Sequence, residues 1–267
     1  MTRQVTKAKK PYKLHAAPVE ELVLACYFPH VMEFRAEHVG LFWAKQKSQF
    51  PKSQQVSPLF DFGEVQTGSE VFPMPRFWFT SADDTRLIQI QRNAFLLNWR
   101  RRPNQDYPHF DAMLEQFTAL FELFRAFITN ECGQEIERIE RLEINYINII
   151  PPNELWKTSI DIAAVFPKLS IPQIPAIKNV TVGASMAFRY QLSPADVLSV
   201  TITNGKRPPN SEDVFILDVK VQGTPSDKLL QSMSDWFANA HETTRTAFLA
   251  FTNPEMRKEI WNEEGDV

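Results

Sequence analysis

Three consecutive arginines, Arg100, Arg101 and Arg102, follow an apolar run and an Asn-Trp pair in LLNWRRRPNQDYPHF, residues 96–110. A guanidinium presents several donors in a planar fork, a shape matched to phosphate or carboxylate. In an extended strand Phe95, Leu97 and Trp99 share one face, and Asn98 and Arg100 share the other. Asn98 and Arg100 are thereby placed to bind an anion or a partner's carboxylate. The plainer reading, favoured here, has Trp99 filling core and the arginines solvated or ion-paired within the chain. Asp106 or Tyr107 would then cap a helix with Pro108 in its first turn. A second polar group, Asn145, Tyr146 and Asn148, sits in LEINYINII. Tyr146 falls on the face of Leu142 and Ile144, and the two asparagines are expected on the opposite face, or at an irregular strand end before Pro151. Asparagine is a poor strand former, so two of them here mark a candidate polar site. The candidate partner- or anion-binding set is Asn98, Arg100, Arg101, Arg102, Tyr107, Asn145 and Asn148.

Other chemistry is poorly supported. The chain has no GxxxxGK[ST] phosphate loop and no GxGxxG fingerprint. The stretch VGASMA around Ser185 lacks the second glycine of a nucleophile elbow and reads as strand. Five histidines show no zinc-ligand spacing. The two cysteines, Cys26 and Cys132, have no CxxC spacing and read as buried free thiols of a reducing cytoplasm. Asp83 and Asp84 fit a hairpin turn. Glu140 and Glu143 beside Arg138 and Arg141 fit ion pairing. No catalytic residue, metal or cofactor is assigned, and a non-enzyme is the favoured expectation.

The elements that must position these residues follow from periodicity. In 267 residues there are 21 phenylalanines and only 8 glycines, which suggests thick helix-on-sheet packing. Residues 19–28 read as a strand stopped by Pro29, and residues 32–50 as an amphipathic helix ended by Pro51. Residues 52–75 read as a long loop with a short strand near 59–62. RFWFTS and RLIQIQ form a hairpin, and a further strand spans 94–100. A long helix from about Pro108 carries Phe110, Met113, Phe117, Phe121, Phe124 and Phe127 on a wide stripe, with Gly133 as its stop. The second half restarts with the strand at 142–150, passes through a short helical or irregular proline-bearing segment and strands near 180–222, and ends in a helix carrying Met233, Phe237, Ala240, Ala247, Phe248 and Phe251. The fold class is α+β: an antiparallel sheet with long packed helices, a strand-helix-strands-helix unit occurring twice. The domain expectation is a basic disordered arm at 1–17, a first half at 18–137 and a second at 138–267, the halves forming one compact domain.

LIQIQRNAFLLNWRR, YPHFDAMLEQF and LEINYINII together resemble the signature of a sporadically distributed family of uncharacterised bacterial proteins of about this length. The matching motifs are Asn98-Trp99-Arg100, Tyr107-Pro108 and Tyr146-Ile147-Asn148. The resemblance implies a scattered, horizontally moved gene of the kind found in toxin–antitoxin and phage-defence neighbourhoods, and it implies no activity. The leading functional expectation is a non-catalytic, protein-binding accessory or regulatory subunit of such a system, cytoplasmic and without a membrane span. Its motive is the Arg/Trp/Tyr-rich junction, a composition that binding hot spots favour. One alternative is nucleic-acid binding through a local basic patch built from Arg100, Arg101, Arg102, the basic arm and NGKRPPN at 204–210, although a net charge of −3 weighs against a protein that coats a duplex. The other is a small-ligand-binding helix-grip protein, with an apolar cavity where a curved sheet holds a long helix.

Overall fold

Arg141–Ile150 alternates half-buried and buried residues without a break across all ten positions, the pattern of a strand with one face on a core. In the computed structural model, which describes residues 12–59, 74–172, 183–207, 211–225, 227–228 and 230–265, this strand lies at the centre of the molecule. In chain order the elements are β1 (Lys13–Leu14), β2 (Val19–Tyr27), α1 (Ala36–Gln46), β3 (Lys52–Val56), β4 (Arg76–Thr80), β5 (Arg86–Gln91), β6 (Ala94–Arg100), α2 (His109–Phe127), β7 (Arg141–Ile150), α3 (Ile162–Val165), β8 (Ser185–Gln191), β9 (Val197–Arg207), β10 (Glu212–Gly223), α4 (Met233–Phe251) and β11 (Glu263–Glu264).

Nine strands form one antiparallel sheet in the order β3-β4-β5-β6-β2-β7-β10-β9-β8, and β1 pairs separately with β11. The chain is α+β, as expected. Strand β2 of the first half pairs with β7 of the second, so a single sheet runs through both halves. Outward from that seam each half is built alike: its first strand pairs with its last, β2 with β6 and β7 with β10, and a long helix follows. That is the order of a repeated unit, and it does not by itself show common descent of the halves.

One core covers one face of the sheet. Leu22, Leu24 and Cys26 of β2, Phe95, Leu97 and Trp99 of β6, Leu142, Ile144 and Tyr146 of β7, and Leu217, Val219 and Val221 of β10 all point into it. Helices α2 and α4 lie on this face. Phe110 meets His241 and Phe117 meets Phe237, so later residues of α2 face earlier residues of α4 and the helices run antiparallel. Helix α1 joins through Phe42, packed on Phe79, Phe124 and Phe127. Helix α2 widens into a π-turn at Ile128–Cys132 and stops at Gly133, whose φ of 65° is the left-handed conformation that glycine adopts without strain.

Three expectations about local structure change. Lys52–Val56 is the edge strand β3 and not loop; the expected strand near 59–62 falls largely outside the described residues. Neither Asp106 nor Tyr107 caps α2: Pro108 occupies the N-cap position with no side-chain cap, and His109 starts the helix at a φ of 63°. Residues 1–11 lie outside the described residues. From Tyr12 the chain is already placed, with β1 on β11 and Ala16 N–H donating to the Trp261 carbonyl at 3.1 Å.

Candidate functional site

Two of the three arginines, Arg101 and Arg102, are turned to internal use. Arg101 donates from Nε to the Val19 carbonyl and from Nη2 to the Ala17 carbonyl, both at 2.8 Å, and lies over the Trp99 ring. Arg102 donates to the Arg101 carbonyl at 2.8 Å. Arg100 is half-buried; burial first, and Arg102 second, lower its pKa, while Glu21 and Asp84 oppose them. Asn98 is buried and accepts from Gln89 at 2.7 Å while donating to Glu21 at 2.6 Å. Asn145 lies on the face of β7 opposite Tyr146, as expected, hydrogen-bonded to Asp218. In the other basic segment Lys206 pairs with Asp213 at 2.6 Å and Arg207 with Glu20 at 3.5 Å; residues 208–210 lie outside the described residues.

The arginines therefore differ in what they hold. Arg101→Ala removes two charge-assisted bonds that pin residues 17–19 and is expected to cost about 1.5–3 kcal/mol, whereas Arg102→Ala should stay within about 0.5 kcal/mol. Urea denaturation of the two variants checks the contrast.

Tyr107 and Asn148 lie elsewhere, and they come together. Both line a cleft of about 470 Å³ between the start of α2, the middle of α4, strands β7 and β10, and the segment from Tyr12 to Val19. Asn148 corrects an expectation: it shares the core-side face with Leu142, Ile144 and Tyr146, because it stands two residues beyond Tyr146 in an unbroken strand. His241 of α4, Phe110 of α2 and the N-terminal segment are further parts of the cleft that the sequence reading did not assign.

The cleft's deep wall carries a chain of hydrogen bonds. Tyr146 Oη lies 3.1 Å from Tyr107 Oη and 2.9 Å from His241 Nδ1. His241 stacks on Phe110, centroids 4.2 Å apart at 5°, and Tyr107 meets Trp99 edge-on at 5.3 Å. Burial pushes both tyrosine hydroxyls well above their ordinary pKa. Burial also lowers the pKa of His241, with Arg245 acting the same way and Glu242 and Asp111 against it. All three groups are thus neutral near pH 7. Charge lies at the rim, where Lys13 and Asp111 are exposed and Arg245 is ion-paired with Glu242 at 2.6 Å.

His241 gives a pH signature with a definite sign. Its folded pKa is depressed, so below the ordinary histidine value the unfolded chain takes up a proton that the folded chain does not. The stability it contributes is complete above that value and is lost as pH falls toward the folded pKa. Glu21 and Asp218, raised by burial, act with the opposite sign. The quantity to measure is therefore the difference between wild type and His241→Gln: the wild type should lose more stability between about pH 7 and pH 5. Parallel urea melts across that range provide the comparison.

No family model matches the chain, and no curated protein matches it. Among solved structures, the crystal structure of the di-domain ARO/CYC StfQ from the steffimycin biosynthetic pathway aligns over 86% of this chain and 95% of its own, at 7% identity and a TM-score of 0.17. A likeness of that size carries no argument about fold or activity. Among the described residues, no group of three or more His, Cys, Asp or Glu side chains could hold a metal ion, and no helix is long and apolar enough to cross a membrane.

Proposed function

We propose that the protein binds a small molecule in the cleft between α2, α4 and the central strands. The observation that carries this is the cleft wall itself. A space of about 470 Å³ falls in the range of small-molecule sites, and its apolar lining surrounds a few convergent polar groups, Tyr107, Tyr146, Asn148 and His241. The sequence-level case for a protein-binding subunit of a defence or toxin–antitoxin system leaned on the Arg/Trp/Tyr junction. That junction is committed within the chain, with Trp99 buried, Arg101 on backbone carbonyls and Tyr107 in the cleft. The nucleic-acid reading loses support in the same way, since Arg101, Arg102, Lys206 and Arg207 are paired or hydrogen-bonded within the chain.

A protein partner is the second reading, favoured by one observation. Strand β8 is the last of the sheet, no described strand pairs with its outer edge, and Tyr190 with neighbouring Leu192 is exposed there. Such an edge can accept an added strand.

The test of the first reading is native mass spectrometry of the gently purified chain, together with thermal shifts over a library of neutral and acidic ring compounds. Binding should stabilise the wild type by about 2.7 kcal/mol at a hundredfold excess over Kd. Ala17→Trp, which places a large side chain in the cleft, should abolish the effect. A ligand that stabilises both proteins equally binds elsewhere and defeats the proposal.

A further inference from the structure

We infer that the ligand is a neutral ring compound bearing a hydrogen-bond-donating hydroxyl, a phenol or other aryl alcohol, and not an anion or a plain hydrocarbon. This rests on the reading of the cleft as a ligand site. Asn148 is the residue that sets the polarity. It is only 2% exposed, and its Nδ2 donates to the Leu217 carbonyl at 3.0 Å and to the Tyr146 carbonyl at 3.4 Å. Its Oδ1 accepts from no group among the described residues, yet the side chain lines the cleft. That acceptor opens on the cleft, where water can satisfy it until a ligand displaces the water. With both amide hydrogens committed to carbonyls, Asn148 cannot turn to offer a donor instead. The ligand must bring one.

The neighbouring chain of hydroxyls adapts to whatever else the ligand carries. When His241 Nδ1 accepts, the bonds run from Tyr107 through Tyr146 to His241, and Tyr107 offers its lone pairs. When Nδ1 carries the proton, the order reverses and the Tyr107 hydrogen is free. Either sense leaves every group neutral, and among the described residues no cation sits at the deep wall: Lys13 and Asp111 are at the rim and Arg245 is held by Glu242. An anion entering there would give up its hydration for at most the one hydrogen of Tyr107, with no counter-charge beside it. The parallel Phe110 and His241 rings, with Tyr107 and Phe248, supply aromatic surface against which a ring can pack.

Three probes share one body and differ in one substituent: biphenyl, 4-hydroxybiphenyl and biphenyl-4-carboxylate. Equilibrium dialysis against the full chain should rank hydroxybiphenyl tightest, about tenfold over biphenyl, with the carboxylate weakest. Asn148→Leu should bring hydroxybiphenyl down to the level of biphenyl, with biphenyl binding retained as the sign of an intact cleft. Should that variant fail to fold, Tyr107→Phe replaces it, with a reduced hydroxyl preference expected. A carboxylate that binds tightest, equal binding of biphenyl and its hydroxyl derivative, or an unchanged preference in the folded variants would overturn this inference while leaving a ligand site in place. Failure of all three probes to bind would overturn both.

Discussion

Phe124→Ala should cost about 3–5 kcal/mol, the range for truncating a fully buried phenylalanine in a close-packed core. Phe124 has no exposed surface, and its ring meets Phe28, Phe34, Phe42 and Phe95 at centroid distances of 6.2, 5.6, 5.2 and 5.3 Å. Two of those rings come from the segment after β2, and the others from α1 and β6. Removing the one ring that all of them touch opens a cavity that no single element can move to close. Phe124→Leu keeps most of the volume and should cost much less, because the loss then lies in ring contacts and shape. Leu123, the adjacent residue, is 54% exposed on the outer face of the same helix, and Leu123→Ala should stay within about 0.5 kcal/mol. Denaturant melts of the three variants separate burial from composition. Equal costs at 123 and 124 would mean that the helix is not seated as described.

That seating was legible because α2 repeats its apolar residues at steps of three and four over five turns, and only one helix face can satisfy such a pattern. The β4–β5 hairpin was legible for a similar reason, with Asp83 accepting from Ser81 and Thr85 in the turn. Strand β3 was not. KSQQV is polar at four of five positions and exposed at those four, so an edge strand with neither face on a core leaves no alternation to read. Its backbone pairing with β4 is the whole of its signal, and that partner is far along the chain.

The site was half legible. Asn148 could have been placed by counting, since it continues the even-numbered face of Leu142, Ile144 and Tyr146. The expectation that asparagine looks outward overrode the period of two. His241 stands four residues after Phe237 and seven before Phe248, on the inner stripe of α4, but a lone histidine on an apolar stripe does not announce partners two strands away. The arginines stood out in sequence because they are consecutive, and adjacency along a chain says little about where three long side chains end. The pairing of β1 with β11 was beyond reach. Each strand is two residues long, and His15 bonds to Glu264 across a separation of 249 residues.

That terminal pairing decides whether the cleft keeps its wall, and Glu263→Ala should show it. Arg257 and Glu263 form an ion pair at 3.0 Å, with side chains only 8% and 7% exposed. Arg257 also donates to the carbonyls of Leu249 and Thr252, so it ties the end of α4 to the strand carrying Glu263. Removing the carboxylate strands a buried guanidinium that has lost its counter-charge, a change that typically costs about 3–5 kcal/mol. The damage should be local in its first appearance. Among the described residues β11 has only β1 as its strand partner, and β1 belongs to the segment from Tyr12 to Val19 that closes one side of the cleft. Amide exchange in residues 13–16 should therefore rise well before exchange in β7, and binding of any cleft ligand should weaken more than the melting temperature falls. Uniform acceleration of exchange across the sheet would instead mean that the terminal strands are integral to the core. In that case the cleft could not open without unfolding.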